Sequence, residues 1–204
     1  MINLLVVGDG PRDQSALPIL IGQLLGCEIQ SRYDDLHEIR YLKGKGDIHA
    51  RKVKYLSRRA CADRFDGLAV VVDTDKSPRR EKLKNLRKGR KEDREKNPPF
   101  PTALGEAKPH FDVWLLDEPV AIREALGFSA DFDNVNAVKV EYPKDELSKL
   151  VESSEFEFDQ VSDALGAIAK RISLQRCVHP KDTGLAAFAE DLDAEIKPVT
   201  GIVD

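Results

Sequence analysis

The sequence predicts an α/β fold, a mostly parallel sheet flanked by helices with a helical C-terminal third. Three observations carry that prediction. Two short apolar runs, residues 2–7 and 68–72, are rich in branched aliphatics and stopped by turn formers, as buried strands of a parallel sheet are. Helical periodicity lies between them, and helical patterns dominate again after residue 127.

The first strand opens into Gly8-Asp9-Gly10-Pro11-Arg12-Asp13. Residues 14–25 then place Leu17, Ile21, Leu24 and Leu25 on one stripe, which predicts an amphipathic helix capped by Asp13 or Ser15 and ended by Gly26. An extended segment is expected within 28–42, followed by a glycine-punctuated turn. Helix returns over 48–64, with Val53, Leu56, Ala60 and Cys61 inward. Phe65-Asp66-Gly67 turns the chain into the second apolar run, which ends at Asp73-Thr74-Asp75.

Residues 76–96 hold 11 Lys and Arg against 4 acids and read either as an exposed helix or as a mobile arm. The proline cluster at 98–101 stops whatever precedes it. A third apolar element, 111–116, contains Trp114, expected as a core anchor, and helix is expected over 120–126. The remaining helical patterns fall at 144–151, 160–172 and 184–196. The expected organisation is an α/β core over 1–127, including a basic insertion at 76–100, with an acidic helical extension over 128–204 packed on it as part of the same domain.

At 204 residues, with 41% hydrophobic and 33% charged residues, the chain is long enough for a real core. It has no run of about 20 apolar residues that would make a membrane span. Met1 leads straight into the first strand without a secretory signal pattern, so a cytoplasmic location is expected. Three widely spaced cysteines form no disulfide framework, and four histidines show no zinc spacing, so any metal should be hard and oxygen-bound, Mg²⁺ or Mn²⁺. The net charge of −4 hides a polarity. Residues 1–109 carry 23 Lys and Arg against 16 acids, whereas 110–204 carry 9 against 20. Basic density flanking an acidic site is the pattern expected where a polyanion is led to bound metal.

Gly8 and Gly10 begin a dinucleotide fingerprint, but Asp13 would set a negative charge where a pyrophosphate must lie, and no P-loop Gly-Lys-Ser/Thr follows. Asp73 and Asp75, one residue apart on an extended chain, point to the same face and repel each other without a cation, which marks them as candidate Mg²⁺ ligands. Loops at the carboxyl ends of parallel strands are where ligands sit, so Asp9 joins them. Arg12 is a candidate phosphate contact. Lys76, Arg79, Arg80, Lys82, Arg87 and Lys88 would track a nucleic-acid backbone, and the absence of interleaved aromatics favours phosphate contact over base stacking.

An apolar strand, then acid-Gly-Pro-x-Asp, an amphipathic helix with Leu-Pro, and a later apolar strand ending in Asp-x-Asp resemble the TOPRIM domain of topoisomerases, bacterial primases, small maturation ribonucleases and OLD-family nucleases. The whole chain looks most like small stand-alone TOPRIM-like proteins of the DUF4276 type, with 111–116 matching a Glu-x-Glu-Ala-Trp-Leu-Leu pattern and the region from Arg176-Cys177 to Phe188 matching a terminal Cys-x-x-Phe region. The resemblance implies a Rossmann-like sheet, metal held by Asp9, Asp73, Asp75 and Asp112, and catalysis by Asp9, Asp73 and Asp75. It further implies an Mg²⁺-dependent nuclease acting on DNA or RNA, an effector of bacterial anti-phage defence working with an ATPase partner. Asp9 and Asp112 are one methylene shorter than the family's glutamates, and His110 stands where another glutamate is expected. A degenerate TOPRIM-like binding or assembly subunit is therefore the competing expectation, with a phosphoaspartate enzyme third. Homo-oligomerisation is left open.

Overall fold

A computed structural model describes residues 1–40, 42–43, 45–74, 81–130, 132 and 135–201. The chain forms an α/β fold around four strands: β1 (Ile2–Gly8), β2 (Ile29–Asp35), β3 (Gly67–Asp73) and β4 (Thr102–Ala107). All strand pairs are parallel, in the order β2-β1-β3-β4. The connection from β1 runs outward to β2 and then returns across the sheet to β3, so the strand order reverses between β1 and β3. That reversal opens a crevice at their carboxyl ends.

The period-two alternation of the strands divides the core. Leu5, Val7, Leu68, Val70, Val72 and Leu104 face α2 (Ile48–Ala62) and α3 (Lys82–Arg94), where Val53, Leu56, Ala60 and Leu86 meet them. The other face carries Leu4, Val6, Ala69 and Val71. These pack among buried side chains of α1 (Leu17–Leu25), α4 (Asp112–Leu116), α5 (Pro119–Leu126), α6 (Pro143–Glu152), α7 (Val161–Ala169) and α8 (Leu185–Glu195). The C-terminal third thus supplies much of one layer. A short α9 (Lys197–Thr200) follows. Trp114 is fully buried, stacked on Phe188 at 5.3 Å, and its Nε1 donates to the Thr183 carbonyl. Among the described residues no helix is long and apolar enough to cross a membrane.

Three local expectations change. The strand after the proline cluster is β4, while 111–116 becomes the helical turn α4. Thr-Ala-Leu-Gly-Glu-Ala carries little β propensity, but it is sandwiched between layers, and a Cβ at Gly105 would strike the Phe188 ring. Asp13 and Ser15 belong to a 3₁₀ turn, Pro11–Ser15, and α1 starts after Ala16 without a side-chain cap.

The third change concerns 76–96. From Lys82 onward the stretch is a docked helix, whereas residues 76–80 lie outside the described ones. Gly89 lets α3 cross α2 at close range, because a Cβ there would run into the Ala50 carbonyl. Ion pairs hold the helix on both sides: Lys54 to Glu92 and Arg58 to Asp93 from α2, Arg90 to Asp191 and Arg94 to Glu195 on α8. The pairs to Asp191 and Glu195 join the basic and acidic parts of the sequence within the fold.

Candidate functional site

Asp9 follows β1 and Asp73 ends β3, so the two strand-end acids meet in the crevice: Asp9 Oδ2 accepts the Asp73 backbone N–H at 3.1 Å. The loop between Gly8 and Asp13 is tightly folded. Tyr33 from β2 donates its hydroxyl to the Gly10 carbonyl, Asp13 Oδ2 accepts the Asp9 N–H at 3.2 Å, and a Cβ at Gly8 would collide with both side chains.

The side chains of Asp9 and Asp73 then diverge to opposite faces of the sheet. Asp9 turns toward α3, where Lys82 Nζ lies 2.6 Å from its Oδ2, both side chains being almost completely buried. His37 Nε2 approaches Oδ1 at 3.2 Å from the exposed side. Lys52 lies close enough for Asp9 to act on its charge, and its Nζ donates to the Leu36 carbonyl. Burial lowers the Lys52 pKa against the opposing pull of Asp9 and Asp35.

Asp73 turns toward α4. Its Oδ1 accepts the Phe111 N–H at 2.9 Å and its Oδ2 lies 3.0 Å from His110 Nδ1. Burial raises its pKa, while His110 opposes the shift. Asp13 and Asp112 lie on the same side. Asp13 is 6% exposed, and burial, reinforced by the charges of Asp73 and Asp112, pushes its carboxyl up to about 8. Asp112 is 1% exposed. Arg12 Nε lies 2.9 Å from Asp112 Oδ1, but its N–H is poorly aimed, so the contact is electrostatic and both carboxylate oxygens lack a hydrogen-bond partner among the described residues. Arg12 also reaches Ser148 Oγ and the Lys144 carbonyl, tying the loop to α6.

The structure thus brings together Asp9, Asp73, Asp112 and Arg12, and adds Asp13, which the sequence pattern assigned to helix capping. Its position in acid-Gly-Pro-x-Asp, four residues after Asp9, was the available signal. Lys82 is not a solvated backbone contact: it is 3% exposed and points into the site. Arg87 and Lys88 lie exposed on α3, with Lys88 in a loose pair with Glu92 at 3.9 Å. Asp75, Lys76, Arg79 and Arg80 fall outside the described residues.

Among the described residues no three His, Cys, Asp or Glu side chains converge closely enough to form a ready metal cage. The donor set is nonetheless all carboxylate on the Asp73 side, with one carboxyl driven toward neutrality and another deprived of hydrogen bonds. Three buried carboxyl groups share one guanidinium there, and such a donor set fits a hard divalent ion in kind. Comparison of the chain with protein-family models, curated proteins and solved structures finds no match.

Proposed function

We propose that the protein is a metal-dependent phosphodiesterase, a TOPRIM-like nuclease using Mg²⁺ or Mn²⁺ on DNA or RNA. The observation that carries the reading is the buried trio Asp13, Asp73 and Asp112 at the sheet reversal, with Asp13 raised to about 8 and both oxygens of Asp112 unbonded. Asp73, Asp112 and Asp13 would hold the metal, joined by Asp75 from the same Asp-x-Asp pair. Such an ion supplies Lewis-acid stabilisation of a phosphate oxygen and a water of lowered pKa.

The chain's own groups have distinct tasks in this reading. His110 Nδ1 and the Phe111 N–H orient the Asp73 carboxylate. Arg12 and Lys82 place positive charge at the strand ends, where a phosphate is drawn in. Asp9, already accepting from Lys82 and the Asp73 N–H, fixes that ammonium at the strand ends. Exposed Arg87 and Lys88 continue a cationic surface along α3. Action within an anti-phage system, beside an ATPase partner, is part of the proposal through the TOPRIM resemblance.

Incubation with duplex DNA, single-stranded DNA and tRNA, each with millimolar Mg²⁺ or Mn²⁺, tests the reading. Wild type should cleave at least one substrate and D73N should not. Equal inertness of both proteins on every substrate, with the partner ATPase present, would sink it.

One observation favours a second reading, a degenerate binding subunit: the Lys82 ammonium occupies the Asp9 carboxylate at 2.6 Å in a buried pair, a place a metal would otherwise take. Calorimetric titration with Mn²⁺ separates the two, since the degenerate subunit takes up no metal.

A further inference from the structure

The two edges of the sheet are finished differently. Along β4 the outer edge is met by side chains and loops: Asp191 accepts the Leu104 N–H at 2.7 Å, Arg90 donates to the Thr102 carbonyl at 2.7 Å, and Lys108 N–H bonds the Thr183 carbonyl at 3.1 Å. Among the described residues nothing comparable covers β2. Leu36 N–H bonds the Gly8 carbonyl, so the even-numbered residues of this parallel strand turn their backbone groups inward. Ile29, Ser31 and Tyr33 therefore turn theirs outward, and among the described residues no hydrogen bond meets them. A seven-residue open edge is a template for another strand.

We infer that this edge pairs with β2 of a second copy of the chain, antiparallel about a two-fold axis at Tyr33, joining two sheets into one. Charge selects the occupant and the register. With the axis at Tyr33, Arg32 stands opposite Asp34 of the other copy, and Asp34 opposite Arg32, giving two cross-strand pairs of opposite sign. An axis at Arg32 opposes two guanidinium groups, an axis at Asp34 opposes two carboxylates, and an axis at Ser31 leaves Arg32 facing Gln30. The Tyr33 register also sets outward-facing residues against outward-facing residues, as an antiparallel ladder requires.

Arg32 and Asp34 lie on the α2 face, where Asp63 and Arg59 already alternate with them in sign: Arg32 to Asp63 at 2.9 Å and Arg59 to Asp34 at 2.7 Å. A two-fold copy extends this alternation across the seam. On the other face the edge borders a groove with the part-exposed apolar residues Ile19, Cys27 and Ile29, which adds apolar area beside the paired strands. The pairing is independent of whether the acidic site is catalytic.

Sedimentation velocity on the full chain tests the interface by charge exchange. Wild type should sediment as a dimer. R32D and D34R each place like charges opposite one another twice, which weakens association by about tenfold or more and gives monomers. Mixed one to one, the two variants restore opposite charges at both pairs and should sediment together as a heterodimer, a rescue that loss of the intrachain pairs cannot produce. Wild type that stays monomeric at about 100 μM, within the micromolar range of modest interfaces, overturns the inference; so do single variants that dimerise like wild type. Hydrogen exchange on wild type decides the case even if a variant misfolds: the Ser31 and Tyr33 amides, which lie inside the paired segment 31–35, should slow as concentration rises, and concentration-independent fast exchange overturns the pairing.

Discussion

On the face of the sheet that carries α2 and α3, Asp9 meets Lys82 at 2.6 Å within a buried pair, and its charge is answered by the protein itself. On the opposite face Asp13, Asp73 and Asp112 lie close enough for the charges of the other two to act on Asp13, with weaker compensation: a histidine beside Asp73 and an arginine poorly aimed at Asp112. The consequence is visible in protonation, since Asp13 is pushed up to about 8. Acids that share a sheet edge thus differ in their partners: Asp9 has a buried ammonium, whereas the second group has one guanidinium and a histidine among three carboxyl groups.

The largest break in that comparison is expected at Lys82. K82M leaves the Asp9 carboxylate buried without its ammonium and should cost about 3 to 5 kcal/mol of stability, the usual penalty for halving a buried pair. The double variant D9N/K82M removes both charges and should recover most of the loss. Urea unfolding at neutral pH measures both. If K82M matches wild type, the Asp9 face is not self-compensated.

An effect of opposite sign is expected at Asp13. Its folded-state pKa of about 8 lies above the ordinary 3.8, so between those values the folded protein holds a proton that the unfolded chain releases. Stability from this group is full below about 4 and is lost as the pH climbs through about 8. D13N escapes that loss and should exceed wild type in stability at pH 9, with the advantage vanishing near pH 4. Mn²⁺ should reverse the ranking by stabilising wild type more than D13N. A pH-independent difference between the two proteins would show that Asp13 is not held neutral.

The sequence made the strand-end acids legible because two unbroken aliphatic runs each stop at a carboxylate, and a parallel sheet sends such ends to one edge. It did not reveal to which face each acid turns. That depends on partners distant in the chain, Lys82 for Asp9 and His110 for Asp73. β4 was hidden because its buried strand is built from Thr, Ala, Leu, Gly and Glu, so it gains its conformation from the layers around it rather than from propensity. Lys82 looked like one more residue of a charged run; at the first turn of α3 it is the position that reaches inward. The basic stretch carries less free charge than its composition alone suggests, because Asp191 and Glu195, about a hundred residues away, neutralise two of its arginines.

The finest test sets two histidines against each other. His37 approaches Asp9 at 3.2 Å, and its side chain is 67% exposed. His110 approaches Asp73 at 3.0 Å with a side chain 23% exposed. Distance alone would rank them as near equals; the state of the acid beneath them does not. Asp9 already holds Lys82, so H37A should change stability by less than about 0.5 kcal/mol, the range of an exposed ion pair. Asp73 has the Phe111 N–H but no ammonium among the described residues within ion-pair distance, so H110A should cost about 1 kcal/mol, the net value of a lost hydrogen bond to a half-compensated carboxylate. Parallel urea titrations near pH 7 resolve a difference of that size. Equal losses would mean that the two faces are compensated alike, and the case for a cation on the Asp73 side would lose its electrostatic basis.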